Sequence, residues 1–345
     1  MSAYDAARSG AALRQASNPL ARVVGRARAT QGSLIIVLKP GKMHADEVDT
    51  DVPLVRRLLA AQFPQWAGLP IEPVLSSGTQ NAVYRLGPDM SVRLPRIDPG
   101  ARGVAAEQRW TVELAPLLPV AIPVALGRGE PAEGYPWQWS VCRWVAGENP
   151  VAGRLADPDG LAEDLAGFIG ALGRIDAADG PGAYRGGPLS GVDRATRAAV
   201  AELRGQVDTV AVSAAWDRAL AAEPWTGRPV WVHSDLMPGN LVVDRGRLTG
   251  VIDFGTVGVG DPACDMIVAW YLLPAGAREV LRARSGVDRA TWDRGRGWAL
   301  SMAVIQLPYY QHTNPVLADG ARLVIREVLA EAGPGAGAGP GLLRP

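Results

Sequence analysis

Trp231-Val232-His233-Ser234-Asp235-Leu236-Met237-Pro238-Gly239-Asn240, followed by Val251-Ile252-Asp253-Phe254-Gly255, is the stretch whose reading decides this chain. The first segment has the form His-x-Asp, four residues, then Asn; the second runs a strand-like Val-Ile into Asp-Phe-Gly. A loop this short lets the Asp235 and Asn240 side chains converge on one side. Arg245-Gly246 supplies a hairpin turn with residues 240–243 and 248–252 as its strands, which returns Asp253 beside Asn240. Phosphoryl transfer asks for one carboxylate to orient the nucleophile and hard oxygen ligands for Mg²⁺, which bridges the phosphates.

With Gly258-Val259-Gly260-Asp261-Pro262-Ala263-Cys264-Asp265 after it, this stretch resembles the aminoglycoside phosphotransferase family, which shares the protein-kinase-like fold. The resemblance runs from about residue 43 to residue 331. It includes Ser77-Gly78-Thr79-Gln80-Asn81-Ala82-Val83-Tyr84-Arg85-Leu86, Val92-Arg93-Leu94-Pro95-Arg96, Glu107-Gln108-Arg109-Trp110 and Arg143-Trp144-Val145-Ala146-Gly147-Glu148. Order and spacing together carry it. The fold it implies is α+β and bilobal, with a small antiparallel-sheet N-lobe holding one key helix and a mostly helical C-lobe. The family is broader than its drug substrates, so the resemblance supports a small-molecule kinase better than an aminoglycoside kinase.

The resemblance also implies roles. Asp235 is the catalytic base, while Asn240 and Asp253 hold Mg²⁺. His233 packs beneath the metal-binding loop and organises it. Ser234 stands where the family most often has Gly. Asp261 and Asp265, one helical turn apart on one face, brace the loop region. Ser77, Gly78 and Thr79 form a phosphate loop through backbone N–H groups and hydroxyls; Asn81 either joins it or stabilises its turn. Kinases place a lysine on the third strand against the α and β phosphates. The only lysines here, Lys39 and Lys42, precede the resembling region, and Arg93 occupies the strand position, facing away from Val92 and Leu94. Arginine grips phosphate bidentately but is no conservative swap for lysine. Glu107 is its expected partner. The alternative to this placement is a surface arginine.

Bulk properties narrow the field. The 345 residues suffice for two lobes, and 48% apolar content can fill a sizeable core. Lys+Arg and Asp+Glu balance at 35 each, leaving no basic field for nucleic acid or an anionic membrane. Cys142 and Cys264 both sit in apolar runs and read as buried, reduced thiols. No run approaches the ~20 apolar residues of a membrane helix, and the expected compartment is the cytoplasm.

Four regions follow. Residues 1–42 read as a disordered extension, 43–146 as the nucleotide-binding N-lobe, 147–332 as the C-lobe with catalytic loop and acceptor site, and 333–345 as a disordered Gly/Ala/Pro tail. Helical spacing predicts a helix over 52–63 capped by Asp51, a helix over 103–118 carrying Glu107, and a helix over 262–273 opened by Asp261 and Pro262. Strands are predicted at 71–75, 82–86, 91–94, 124–126 and 137–145. Residues 147–150 are a hinge candidate. Residues 180–191 form a Gly/Pro-rich loop among the helices of the C-lobe. The aromatic residues Trp270, Tyr271, Trp298, Tyr309 and Tyr310 sit at core-like spacing.

The reading is therefore a cytoplasmic, Mg²⁺-dependent kinase that uses ATP or GTP on a small-molecule hydroxyl, with an antibiotic among the acceptors considered. Its rival is a nucleotide-binding pseudokinase acting as a regulatory module, motivated by the missing lysine and the sparse phosphate loop. A protein-directed kinase fits poorly, since no Ala-Pro-Glu segment closes an activation loop.

Overall fold

The computed structural model describes residues 47–74 and 80–332. Helix α1 (Val52–Gln62) starts where Asp51 accepts a 2.8 Å bond from the Leu54 N–H. It buries Leu54, Val55, Leu58 and Leu59, a 3–4 spacing that makes one apolar stripe. Strands β1 (Ile71–Val74), β2 (Asn81–Leu86), β3 (Met90–Pro95), β4 (Ala125–Gly129) and β5 (Trp139–Arg143) form one antiparallel sheet in the order β1-β2-β3-β5-β4. Its core gathers Leu58, Leu86, Val92, Leu94, Trp139 and Val141.

Helix α2 (Asp98–Leu114) crosses this sheet and begins five residues ahead of the expected 103. Pro99 explains the difference: its fixed φ suits a first helical turn. The far end also stops early, because residues Ala115–Leu117 tighten into a 3₁₀ turn around Pro116. α2 serves both halves of the molecule. Glu107 lies against the sheet, while Trp110 and Leu114 enter the larger core, where Trp110 meets Trp231 edge-on at 4.7 Å.

That larger core is built from helices α3 (Pro158–Gly173), α4 (Asp193–Glu202), α5 (Thr209–Leu220), α6 (Val268–Leu272), α7 (Ala275–Ser285), α8 (Arg289–Tyr310) and α9 (Pro315–Ala332). α8 runs through its centre, buried along most of its length. Trp270, Tyr271, Trp298 and Tyr310 are all core residues. Cys142 and Cys264 are buried and free. Among the described residues no helix is long and apolar enough to cross a membrane.

Two small strand pairs pack into the larger core. β6 (Val230–Val232) pairs with β9 (Gly258–Gly260), and β7 (Leu241–Asp244) with β8 (Arg247–Val251). The β7–β8 turn puts Arg245 and Gly246 at φ 48° and 82°, the left-handed pair that a two-residue hairpin needs. Residues 147–150 are fastened to this hairpin. Glu148 and Val243 exchange backbone bonds of 3.0 and 2.8 Å, and the Asn149 amide donates to Gly239 O and Leu241 O. Gly147 is required there: its φ is 137°, and a Cβ would stand 2.7 Å from Val243 O.

One expected element divides. Instead of a single α-helix over 262–273, residues Pro262–Ile267 are 3₁₀ and only α6 is α-helical. At three residues per turn, a side chain four positions on is rotated by roughly 120°. Asp261 and Asp265 consequently reach different partners, correcting the shared face expected of them. Residues 1–42, the tail 333–345, and Ser77, Gly78 and Thr79, expected from the sequence to form a phosphate loop, lie outside the described residues.

Candidate active site

β6 delivers the chain directly into the loop that starts at His233. The turn is held from below by Asp265, whose two carboxylate oxygens accept the His233 N–H at 2.8 Å and the Ser234 N–H at 2.7 Å. Asp265 is 1% exposed, and burial pushes its carboxyl up to about 7 despite those two donors. Ser234 sits at φ 63°, a left-handed conformation that favours glycine. Its Oγ donates to Thr256 O at 2.7 Å, a bond glycine could not make. The His233 ring is buried, shares a 3.0 Å bond with Ile252 O and meets Phe254 edge-on at 4.9 Å. Burial lowers its pKa, keeping the imidazole neutral.

The loop then brings Asp235 and Asn240 together. The Asn240 amide nitrogen donates to Asp235 Oδ2 at 3.1 Å and to Asp235 O at 2.9 Å. Its amide oxygen therefore faces away from Asp235. The Ile252 N–H donates to Asn240 O at 2.8 Å, so the hairpin returns the chain to Asp253 beside the loop. Asp253 is itself left-handed, at φ 67°.

Arg93 closes the arrangement from the sheet. One arm of its guanidinium pairs with Glu107 on α2, and the other reaches Asp253 Oδ1 at 2.5 Å, across 160 residues. With its amide oxygen turned to the guanidinium, Asn81 accepts from Nη2 at 2.8 Å and Nε at 3.2 Å. The surface-arginine alternative is thus excluded, since the side chain is 13% exposed. Burial alone would lower the Arg93 pKa, but Asp253 and Glu107 hold it above its ordinary value. Burial pushes Glu107 up against the pull of Arg93. Burial would also raise Asp253, yet the Arg93 charge and hydrogen bond outweigh it and keep this carboxyl below its ordinary value. α2 packs closely on the Asp-Phe-Gly turn: a Cβ on Gly103 would lie 2.9 Å from Gly255 O.

The arrangement has the donors a hard divalent cation takes: an ionised carboxylate at Asp253 and the outward amide oxygen of Asn240. Among the described residues no cluster of three or more His, Cys, Asp or Glu could hold a metal alone. That is compatible with Mg²⁺, which is usually bound through one or two carboxylates plus substrate phosphates.

Asp261 stands apart from this centre. Its carboxylate accepts Arg294 Nε at 2.7 Å and Nη2 at 3.0 Å, and caps the Ala263 N–H at 3.0 Å. It anchors β9 to α8. The sequence reading missed Arg185 as a site residue. Arg185 comes from the loop before α4, and its Nη1 donates to Asp235 Oδ1 at 2.8 Å and Ser234 O at 3.0 Å. No local motif marks it; a Gly/Pro-flanked arginine looks like any loop residue.

Known structures share this frame. The GDP complex of wild-type aminoglycoside 2'-phosphotransferase-IIIa superposes with a TM-score of 0.61 at 18% identity, over 82% of this chain and 100% of that one. Macrolide 2'-phosphotransferase MphH from Brachybacterium faecium gives 0.54 at 20% identity, over 79% and 97%. The streptomycin–ATP–APH(2")-IIa ternary complex gives 0.53 at 16% identity, over 82% and 99%. At these identities the likeness establishes the fold. Uncharacterized protein YcbJ of Bacillus subtilis (strain 168) is 36% identical over 76 residues, which span 22% of this chain and 23% of that protein. The sequence model of the phosphotransferase enzyme family, APH, matches residues 72–298. With that match covering well over half its length, and with a bilobal protein-kinase-like fold around it, this chain belongs to the APH phosphotransferase enzyme family.

Proposed function

We propose that this phosphotransferase moves the γ-phosphoryl group of ATP or GTP to a hydroxyl of a small molecule, with Asp235 as the base and Asn240 and Asp253 as the Mg²⁺ ligands. The observation that carries the proposal is the convergence of five side chains from distant segments. Asn240 ties Asp235, and Arg93 joins Glu107 to Asp253. This is the constellation a kinase needs, with arginine in the lysine's place.

In this reading Asp235 holds the acceptor hydroxyl in line with the γ-phosphorus. The acceptor oxygen forms the new P–O bond, the nucleoside diphosphate leaves with the bridging oxygen, and the hydroxyl proton passes to Asp235. Mg²⁺ supplies charge neutralisation at the phosphates. Arg93 faces the α and β phosphates, oriented by Glu107, and Ser77, Gly78 and Thr79 complete the phosphate contacts. His233 and Asp265 support the loop without touching substrate, and Asp261 fastens β9 to α8. Catalysis rests on positioning and electrostatics, because the transition state is loose. The lobes divide near residue 147 in this reading, with the nucleotide bound between them. Solved relatives carry GDP in one case and ATP with streptomycin in another, which supports both nucleotides as candidates and a polyhydroxylated acceptor.

The test is Mg²⁺-dependent ADP and GDP release across aminoglycosides, macrolides, sugars and amino alcohols, wild type beside Asp235→Asn. Acceptor-stimulated release should fall at least about 10²-fold in the variant, within the range for lost acid–base catalysis, while nucleotide binding stays near normal. Undiminished turnover in Asp235→Asn would sink the mechanism. Nucleotide binding without release for any acceptor would favour a pseudokinase.

A further inference from the structure

Arg185 is too elaborately held to be an incidental neighbour of Asp235. The segment 181–186 lies along β9 as an added edge. Val259 N–H donates to Pro181 O at 2.7 Å, Ala183 N–H to Val259 O at 3.0 Å, and Asp261 N–H to Gly186 O at 2.9 Å. Two glycines of β9 admit it: a Cβ on Gly258 would stand 2.6 Å from the Ala183 backbone, and one on Gly260 2.6 Å from Gly186 Cα. The segment therefore cannot slide along β9 without losing three backbone bonds. Arg185 lies over the Tyr184 ring at 4.8 Å and is only 6% exposed. Its Nη1 bridges a side chain and a main chain of the same loop, Asp235 Oδ1 and Ser234 O.

Both oxygens of Asp235 are thereby engaged from opposite sides, Oδ1 by Arg185 and Oδ2 by Asn240. A carboxylate fixed on two sides cannot swing through its rotamers, so its remaining lone pairs keep one direction. The same nitrogen also grips the carbonyl of Ser234, the residue in the left-handed conformation on which the loop's course depends. In a loose phosphoryl transfer the base contributes mostly by orientation.

We infer that Arg185 is a positioning residue for the reaction: its charged guanidinium, delivered by the β9 edge, orients the Asp235 carboxylate toward the acceptor hydroxyl. The inference rests on the role of Asp235 proposed above. An arginine is suited to the task because it stays charged at all working pH values and offers several donors in a fixed plane.

The experiment compares Arg185→Ala, Arg185→Gln and Arg185→Lys with wild type and Asp235→Asn. It measures ADP and GDP release from MgATP and MgGTP, with water as acceptor and with the best acceptor of the panel, alongside thermal melting. Arg185→Ala and Arg185→Gln should lower kcat by about 10- to 100-fold, the loss expected from a misdirected catalytic group, with KM for nucleotide changed less than about twofold. Arg185→Lys should recover much of the loss, and added guanidinium ion at millimolar concentration should raise the rate of Arg185→Ala alone. Wild-type kcat in Arg185→Gln, which is uncharged and too short to make the Nη1 contact with Asp235, overturns the inference. So does an Arg185→Lys that is folded by its melting curve yet no better than Arg185→Gln. If Arg185→Ala fails to fold, the Gln and Lys pair still decides. Turnover that survives Asp235→Asn instead removes the mechanism beneath the inference, so the two failures are told apart.

Discussion

Replacing Arg294 by methionine should destabilise this protein severely, and the structure sets the scale. Arg294 and Asp261 form a two-pronged pair at 2.7 and 3.0 Å, with side chains 5% and 7% exposed. Arg294 also donates to Thr291 Oγ1 at 3.1 Å and Glu223 O at 2.5 Å. Methionine restores most of the volume but none of the donors. Asp261 would keep only the Ala263 N–H, leaving a buried carboxylate without its counter-charge. Losing one partner of a buried pair costs about 3–5 kcal/mol. At an unfolding entropy of about 2.1 cal/mol/K per residue, 345 residues lose roughly 1.4 °C per kcal/mol, so the melting temperature should drop by at least about 4 °C. Urea titration at neutral pH measures the free energy directly. The double variant Asp261→Asn with Arg294→Met removes the stranded charge, and should recover at least about 2 kcal/mol relative to Arg294→Met alone. A single Arg294→Met that loses less than about 1 kcal/mol, or a double variant no better than the single, refutes the reasoning that charge burial dominates here.

Other outcomes follow from the site. Asp265 ionises near its ordinary ~3.9 in the unfolded chain but near 7 when folded. Between those values the native state keeps a proton the unfolded state has released, so stability falls as pH rises from about 4 to about 7. Urea midpoints across that window should show the decline, and Asp265→Asn should flatten it. Arg93→Met leaves Glu107 and Asp253 facing each other without their cation, and Glu107→Gln removes what orients Arg93. Each should weaken MgATP or MgGTP binding at least about tenfold, as the loss of a charge-assisted hydrogen bond implies, read by calorimetric titration. The pair should not be additive, because one contact is shared; additive losses would place Arg93 and Glu107 in separate roles.

The sequence by itself determined the parts that neighbouring residues control. The spacing from Asp235 to Asn240 and the Arg245-Gly246 turn fix where the loop and hairpin run, since both depend on backbone conformations set within a few residues. Alternation along β3 put Arg93 on the opposite side from Val92 and Leu94, and its pairing with Glu107 is what the resemblance implied. Local turn chemistry also located Asp51 and Asp261 as caps. The boundaries moved where proline intervened, at Pro99, Pro116 and Pro262, because its fixed φ selects among turn types that periodicity cannot separate. Only the tertiary structure decided which acid meets which base. Arg294 for Asp261, Arg185 for Asp235 and the second arm of Arg93 on Asp253 are contacts between segments 33, 50 and 160 residues apart. Nothing in local spacing carries such information. It arises when β9, α8 and the loop before α4 are packed around one core, and burial then forces each charge to find a counter-charge.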